Sequence, residues 1–146
     1  MGKPLKIFII AGEASGDLHA KNLLHELRKK NPEIICRGLG GDGLAAEGME
    51  LVAHIRESSF MGFVEILKNL WKIRKLFALI KNAIRTFQPD LVIFVDYPAF
   101  NLKIAKWLSS ERIRGFYYIS PTVWATSRCP GRGIRRAMPF TKSTRR

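Results

Sequence analysis

Asp96 closes a solidly apolar run, Leu91–Val92–Ile93–Phe94–Val95, and is followed by Tyr97, Pro98 and Phe100. A carboxylate at the end of a buried strand, walled by two aromatic rings and a proline, is partly desolvated. That environment suits a general base that draws a proton from a sugar hydroxyl. A turn aspartate bonding its own backbone would use the same residue type, but the place after a central strand favours catalysis. Asn101 lies close enough in sequence to orient such a hydroxyl. A second polar group follows another apolar run, Leu5–Ile10, in Ala11–Gly12–Glu13–Ala14–Ser15–Gly16–Asp17. It offers backbone N–H donors, the Ser15 hydroxyl and the carboxylates of Glu13 and Asp17. The loop reads as a ligand site, as a helix cap made by Ser15 or Asp17, or as both. Its glycines at 12 and 16 do not form the G-x-G-x-x-G dinucleotide fingerprint, and it lacks the lysine of a P-loop.

The elements that must position these groups alternate along the chain. Strands are expected at about 5–10, 34–39, 91–95 and 115–119, with a weak one near 50–53. Helices are expected at about 16–30, 43–48, 62–87 and 101–109. Strands alternating with helices mean βαβ units and a doubly wound parallel α/β sheet. Ligands of such sheets bind beyond the carboxyl ends of the strands, where both the 11–17 loop and Asp96 belong. Asp90 precedes its strand, so it lies at the opposite edge and reads as structural.

The long helical segment carries more apolar surface than one core-facing stripe needs. Phe63, Ile66, Leu67, Leu70, Ile73, Phe77, Ile80, Ile84 and Phe87 follow helical spacing, and Val64, Trp71, Leu76 and Leu79 widen the face. Lys68, Lys72, Arg74, Lys75, Lys81 and Arg85 fill the remainder against Glu65. Core packing accounts for part of this surface. A basic helix with surplus apolar groups also suits anionic lipid headgroups and acyl chains, most of all around Met61, Phe63, Val64, Leu67 and Trp71.

Composition sets the outer bounds. The length of 146 residues fits one domain with a real core. Cys36 and Cys129 are too few for a disulfide framework, and no signal peptide or membrane-spanning run is visible, so a reduced cytosolic protein is expected. His19, His25 and His54 have no metal-ligand spacing with the cysteines, and no metal or cofactor is expected. The net charge of +13 is uneven, because residues 126–146 hold seven basic residues and no acidic one. The rest of the chain carries +6, so the excess is a property of the tail and not of the domain. That tail has few large apolar groups and reads as disordered. It is either a nucleic-acid arm or a non-native end.

Five ordered motifs resemble one family. They are Ala11–Asp17, Gly38–Leu39–Gly40–Gly41, Met61–Leu67, Pro89–Asp90 with Asp96–Asn101, and Tyr118–Ala125. Together they closely resemble the lipid-A-disaccharide synthases of Gram-negative bacteria over residues 5–125. The resemblance implies a GT-B type glycosyltransferase with two Rossmann-like domains facing a cleft, of which this chain is the N-terminal, acceptor-side one. It implies transfer of a diacylated glucosamine from its UDP derivative to the 6-hydroxyl of a diacylglucosamine 1-phosphate. The products are the β-1,6 disaccharide and UDP, with inversion and no metal. Asp96 stands at the family's proposed base position. Gly12, Glu13, Ser15, Gly16 and Asp17, with Asn101 and Ser120, would line the substrates, and the helix from Met61 would meet acyl chains at the inner membrane. The protein implied is cytoplasmic and peripheral to that membrane, with no nucleic-acid partner.

Two departures qualify the likeness. Ala99 stands where the family often has a second aspartate. After Ala125 the family pattern of another Trp, a basic helix and a second domain gives way to Thr126–Ser127–Arg128–Cys129–Pro130. Loss of resemblance and periodicity at one residue is what a change of reading frame produces. The expected division is therefore a domain over 1–125 and a non-native or disordered basic tail over 126–146. The second domain supplies most of the UDP-binding surface in this fold, so the chain alone is expected to be inactive. The alternative is a standalone basic module that binds nucleic acid or anionic membrane.

Overall fold

The computed structural model describes residues 3–58 and 70–119. Five strands, β1 (Lys6–Ala11), β2 (Ile35–Gly40), β3 (Glu50–His54), β4 (Leu91–Val95) and β5 (Gly115–Ile119), form one sheet in the order β3-β2-β1-β4-β5. Every neighbouring pair is parallel. The helices are α1 (Ala14–Lys30), α2 (Asp42–Ala46), α3 (Ile55–Ser58), α4 (Leu70–Phe87) and α5 (Pro98–Ser110). This is the expected α/β architecture, a doubly wound parallel sheet.

The alternation of side chains along β1 divides the core in two. Phe8 and Ile10 point to one face, where Val92 and Phe94 of β4 join Ile80, Ile84 and Phe87 of α4 and Phe100, Ile104 and Leu108 of α5. Ile7, Ile9 and Ala11 point to the other, with Ala20 and Leu24 of α1, Leu44 of α2, and Ile93 and Val95. Both faces of β1 and β4 are thus buried, which is why those strands read as unbroken apolar runs. At the amino edge the Lys6 backbone N–H donates to Asp90 Oδ2 at 2.9 Å, so Asp90 is structural as expected.

The strand order reverses between β1 and β4. β2 and β3 build outward from β1 on one side, and β5 builds outward from β4 on the other. The loops leaving the carboxyl ends of β1 and β4 therefore part to opposite faces and leave a crevice between them. Two helices begin earlier than expected at this edge. α1 starts at Ala14, and α5 starts at Pro98 instead of Asn101. Proline suits the first helical position, because the N–H it lacks has no partner there. The short helix α3 was not foreseen in the sequence. The expected start of the long helix, from 62 to 69, lies outside the described residues.

Candidate active site

The crevice between β1 and β4 brings the two predicted polar groups together. A Cβ added to Gly16 would stand 3.2 Å from the Val95 carbonyl oxygen and 3.6 Å from Asp96 Cβ. Glycine lets the first turn of α1 lie this close to the end of β4 without crowding that carbonyl. Ser15 then reaches across the crevice, its hydroxyl donating to Asp96 Oδ2 at a long 3.5 Å.

Asp96 is presented by an unusual turn. Asp96 (φ 43°) and Tyr97 (φ 86°, ψ 59°) are consecutive left-handed residues, and neither is glycine. Each such residue costs about 1–3 kcal/mol and persists only where its surroundings hold it. Three hydrogen bonds do so. The Tyr97 N–H donates to Asp96 Oδ1 at 3.0 Å, Asn101 Nδ2 donates to the Asp96 carbonyl at 2.6 Å, and the Asn101 N–H donates to the Tyr97 carbonyl at 3.0 Å. Oδ1 is thereby tied to the turn, while Oδ2 faces the crevice and Ser15. A half-buried carboxylate with one oxygen tied and the other beside a hydroxyl can accept a proton from a group brought to it.

The other predicted residues fall in distinct places. Gly12 lies under the Tyr97 ring, where an added Cβ would be 2.3 Å from ring carbons. Glu13 is exposed at the N-cap of α1 and makes no side-chain capping bond. Burial, joined by the Glu13 charge, raises the Tyr97 phenol above the usual tyrosine range. Asn101 is wholly buried and donates to the Asp96 carbonyl, so it ties the turn and does not meet a substrate hydroxyl as was expected of it. Trp71 is 67% exposed, with Lys75 Nζ 4.7 Å from the ring centre. Met61, Phe63, Val64, Leu67 and Ser120 lie outside the described residues.

The cap reading of the first loop is corrected. Neither Ser15 nor Asp17 caps α1, because the helix begins before both, at Ala14. Asp17 is 7% exposed and accepts from the backbone N–H groups of Gly41 (2.6 Å), Gly43 (2.9 Å) and Leu44 (3.2 Å). It satisfies the start of α2, a helix whose own N-cap residue is Gly41 and has no side chain to do so. Asp17 therefore fastens the loop after β2 to the loop after β1. A further cluster at this edge was missed in the sequence. His54 Nε2 lies 3.1 Å from Asp42 Oδ1, Arg56 Nη2 donates to Asp42 Oδ2 at 3.0 Å, and the Arg56 N–H donates to His54 Nδ1 at 3.1 Å. Its signal was weak, since the three residues stand in two separate segments. Among the described residues no group of three or more His, Cys, Asp or Glu is arranged to hold a metal ion.

Comparison with known proteins gives this geometry a family. A family model described as lipid-A-disaccharide synthetase matches residues 7–137. The chain belongs to that family. A lipid-A-disaccharide synthase of Myxococcus xanthus is 41% identical over 136 residues, covering 93% of this chain and 36% of its own length. That of Geobacter metallireducens is 42% identical over 120 residues, covering 82% of this chain and 31% of its own. The chain thus spans about a third of the length of the lipid-A-disaccharide synthases it matches. A solved structure described as the glycotransferase of kitacinnamycin superposes with a TM-score of 0.57 at 18% identity, over 83% of this chain and 31% of the other. That likeness carries the fold alone, a parallel α/β sheet. Among the described residues no helix is long and apolar enough to cross a membrane.

Proposed function

We propose that this chain is the acceptor-side part of an inverting glycosyltransferase of lipid A biosynthesis. The observation that carries the reading is Asp96 in its left-handed turn, one carboxylate oxygen facing the crevice of a lipid-A-disaccharide synthase family sheet. In the proposed reaction Asp96 Oδ2 takes the proton of the 6-hydroxyl of 2,3-diacylglucosamine 1-phosphate. The freed oxygen attacks the anomeric carbon of UDP-2,3-diacylglucosamine from the face opposite the nucleotide. The bond to UDP breaks, UDP leaves with the electron pair, and the β-1,6 link forms with inversion. Ser15 holds the Asp96 carboxylate and the acceptor hydroxyl in register, Glu13 and Gly16 shape the crevice, Gly12 lies under the Tyr97 ring behind it, and Asp17 secures the neighbouring loop. Ser120 is assigned to substrate contact by its motif alone.

The acyl chains and the inner-membrane surface are assigned to the segment from Met61 to Trp71. The exposed Trp71 and the exposed cations Lys72, Arg74 and Lys75 of α4 support this, since an aromatic ring among lysines suits the headgroup layer. The donor nucleotide is assigned to a second domain in the remaining two thirds of a full-length relative. A unit ending near Ala125 with a non-native tail stays part of the proposal. The family match running to residue 137 lends no support to a break at Ala125. The coding sequence beyond that codon, read in three frames, decides the point.

The test joins this domain to the remaining two thirds of a curated relative and measures UDP release from the two lipid substrates. The chain alone is expected to give no turnover and the chimera to give turnover. Asp96→Asn in the chimera should lower kcat about 10²–10⁴-fold, the usual contribution of a general base. An Asp96→Asn chimera within about tenfold of its parent would end the base assignment. Deleting 126–146 separates the alternative reading, since a basic binding module would lose its affinity for nucleic acid or anionic vesicles with the tail.

A further inference from the structure

The turn that carries Asp96 is held from a side that neither the sequence motifs nor the base assignment accounts for. Tyr97 precedes Pro98, a position where steric contact with the proline ring favours extended backbone. Tyr97 instead has φ 86° and ψ 59°. Besides the three hydrogen bonds of the turn, its ring is confined on two sides. One side of the ring rests on Gly12, so closely that a methyl group there would stand 2.3 Å from Cγ and Cδ1 and 2.8 Å from Cδ2. The ring also stacks on Phe100, centres 5.3 Å apart and planes 29° apart. Phe100 is itself anchored, 5% exposed and meeting Phe77 of α4 edge-on at 5.2 Å. The Tyr97 side chain is thus wedged between the loop after β1 and the first turn of α5. Its own main-chain N–H fixes Asp96 Oδ1, which leaves Oδ2 for the crevice.

We infer that Tyr97 is the positioning residue for Asp96, with Gly12 as its seat and Asn101 as the tie that closes the turn. The inference rests on the base assignment for its catalytic meaning, but not for its geometry. The ring is what acts: one aromatic plane, held between a glycine and Phe100, keeps two neighbouring residues left-handed and so aims a carboxylate. The phenol takes no part in any of the three hydrogen bonds that define the turn. Gly12 is then required because a side chain would unseat the ring, and not because a ligand must approach the backbone there.

The experiment uses the 146-residue chain and needs no substrate. Carbon-13 and nitrogen-15 labelling gives NMR signals for the Asp96 carboxyl carbon and the Asn101 side-chain amide, with β1 and β4 backbone amides reporting the fold. Tyr97→Phe should leave both signals at their parent positions. Tyr97→Leu and Gly12→Ala should each move the Asp96 carboxyl signal and speed exchange of the Asn101 side-chain amide at least tenfold, while the sheet amides stay in place. If Tyr97→Leu or Gly12→Ala keeps the sheet and leaves Asp96 and Asn101 unmoved, the inference fails. If Tyr97→Phe disturbs them as much as Tyr97→Leu does, the phenol holds the turn and the inference also fails. Should Gly12→Ala not fold, the Tyr97→Phe and Tyr97→Leu pair decides alone. A failed base assignment looks different, because it appears only as an active Asp96→Asn chimera and leaves these spectra as predicted.

Discussion

Two carboxylates at the carboxyl edge of this sheet are bound differently, and the number of backbone N–H groups each accepts separates them. Asp96 accepts one, which leaves an oxygen facing the crevice; Asp17 accepts three and is nearly closed to solvent. A carboxylate bound in that way is a structural anion, and its loss should be felt in stability. Removing the acceptor of a buried N–H costs about 1–3 kcal/mol, less where water can enter. Asp17→Ala should therefore lower unfolding stability by about 2–4 kcal/mol in urea titration. Asp17→Asn keeps one acceptor oxygen and should lose less. A loss under about 1 kcal/mol for the alanine variant would show that the loop after β2 holds itself. This role was not legible in the sequence. An aspartate just after a strand reads as a cap of its own helix, and its actual partners lie 24 to 27 residues away.

Among the elements, the strands were the most legible. Leu91–Val95 and Gly115–Ile119 have their expected bounds, because the apolar run of β4 and the signals around β5 end sharply. The turn between β4 and α5 was not legible, since nothing in Asp–Tyr–Pro announces two left-handed residues. The same holds for α5, which starts at Pro98 and not at the expected Asn101. Close strand pairing also sets demands that composition hides. Gly38 pairs with Ile9 across β1 and β2, and a Cβ added there would lie 1.8 Å from the Ile9 carbonyl oxygen. That atom is backbone in the strand at the middle of the sheet and cannot swing aside. Gly38→Ala should open the β1–β2 ladder and cost about 3 kcal/mol or more. Gly48 offers the contrast. It is left-handed (φ 80°), but its near neighbour is the flexible Arg28 guanidinium at 3.1 Å. Gly48→Ala should cost only the conformational penalty, about 1–2 kcal/mol. Equal losses for the two variants in urea unfolding would mean that the Gly38 contact relaxes without breaking the ladder.

For the molecule as a whole, burial of neutral acids makes the alkaline side the vulnerable one. Cys36 is 3% exposed, and burial pushes its thiol up to about 12 against the weak opposing charge of Arg28. Burial raises the Tyr97 and Tyr117 phenols as well. Each group is neutral with its proton on, so the native state keeps protons that the unfolded chain has already released. The stability these groups contribute is full below their unfolded values, about 8.5 for a thiol and about 10 for a phenol. It is lost as pH rises through them toward the native values. Cys36 alone should remove up to about 1.4 kcal/mol per pH unit once the unfolded thiol ionises. The tyrosines are only partly buried and add less. On the acid side, Glu26, Glu50 and Glu111 are held below the usual carboxylate range by bonds to Lys29, Arg37 and Arg85, so their contribution fades only as those carboxylates take up protons. Urea midpoints should thus be level from about pH 6 to 8 and fall between about pH 9 and 10.5. Cys36→Ala should make that fall shallower throughout, since the native thiol keeps its proton across the whole range, and leave only the part that the phenols supply near and above about pH 10. A midpoint unchanged up to about pH 10.5 would mean that the Cys36 thiol ionises as easily inside the sheet as in the unfolded chain, and that the packing of β1 against β2 admits water.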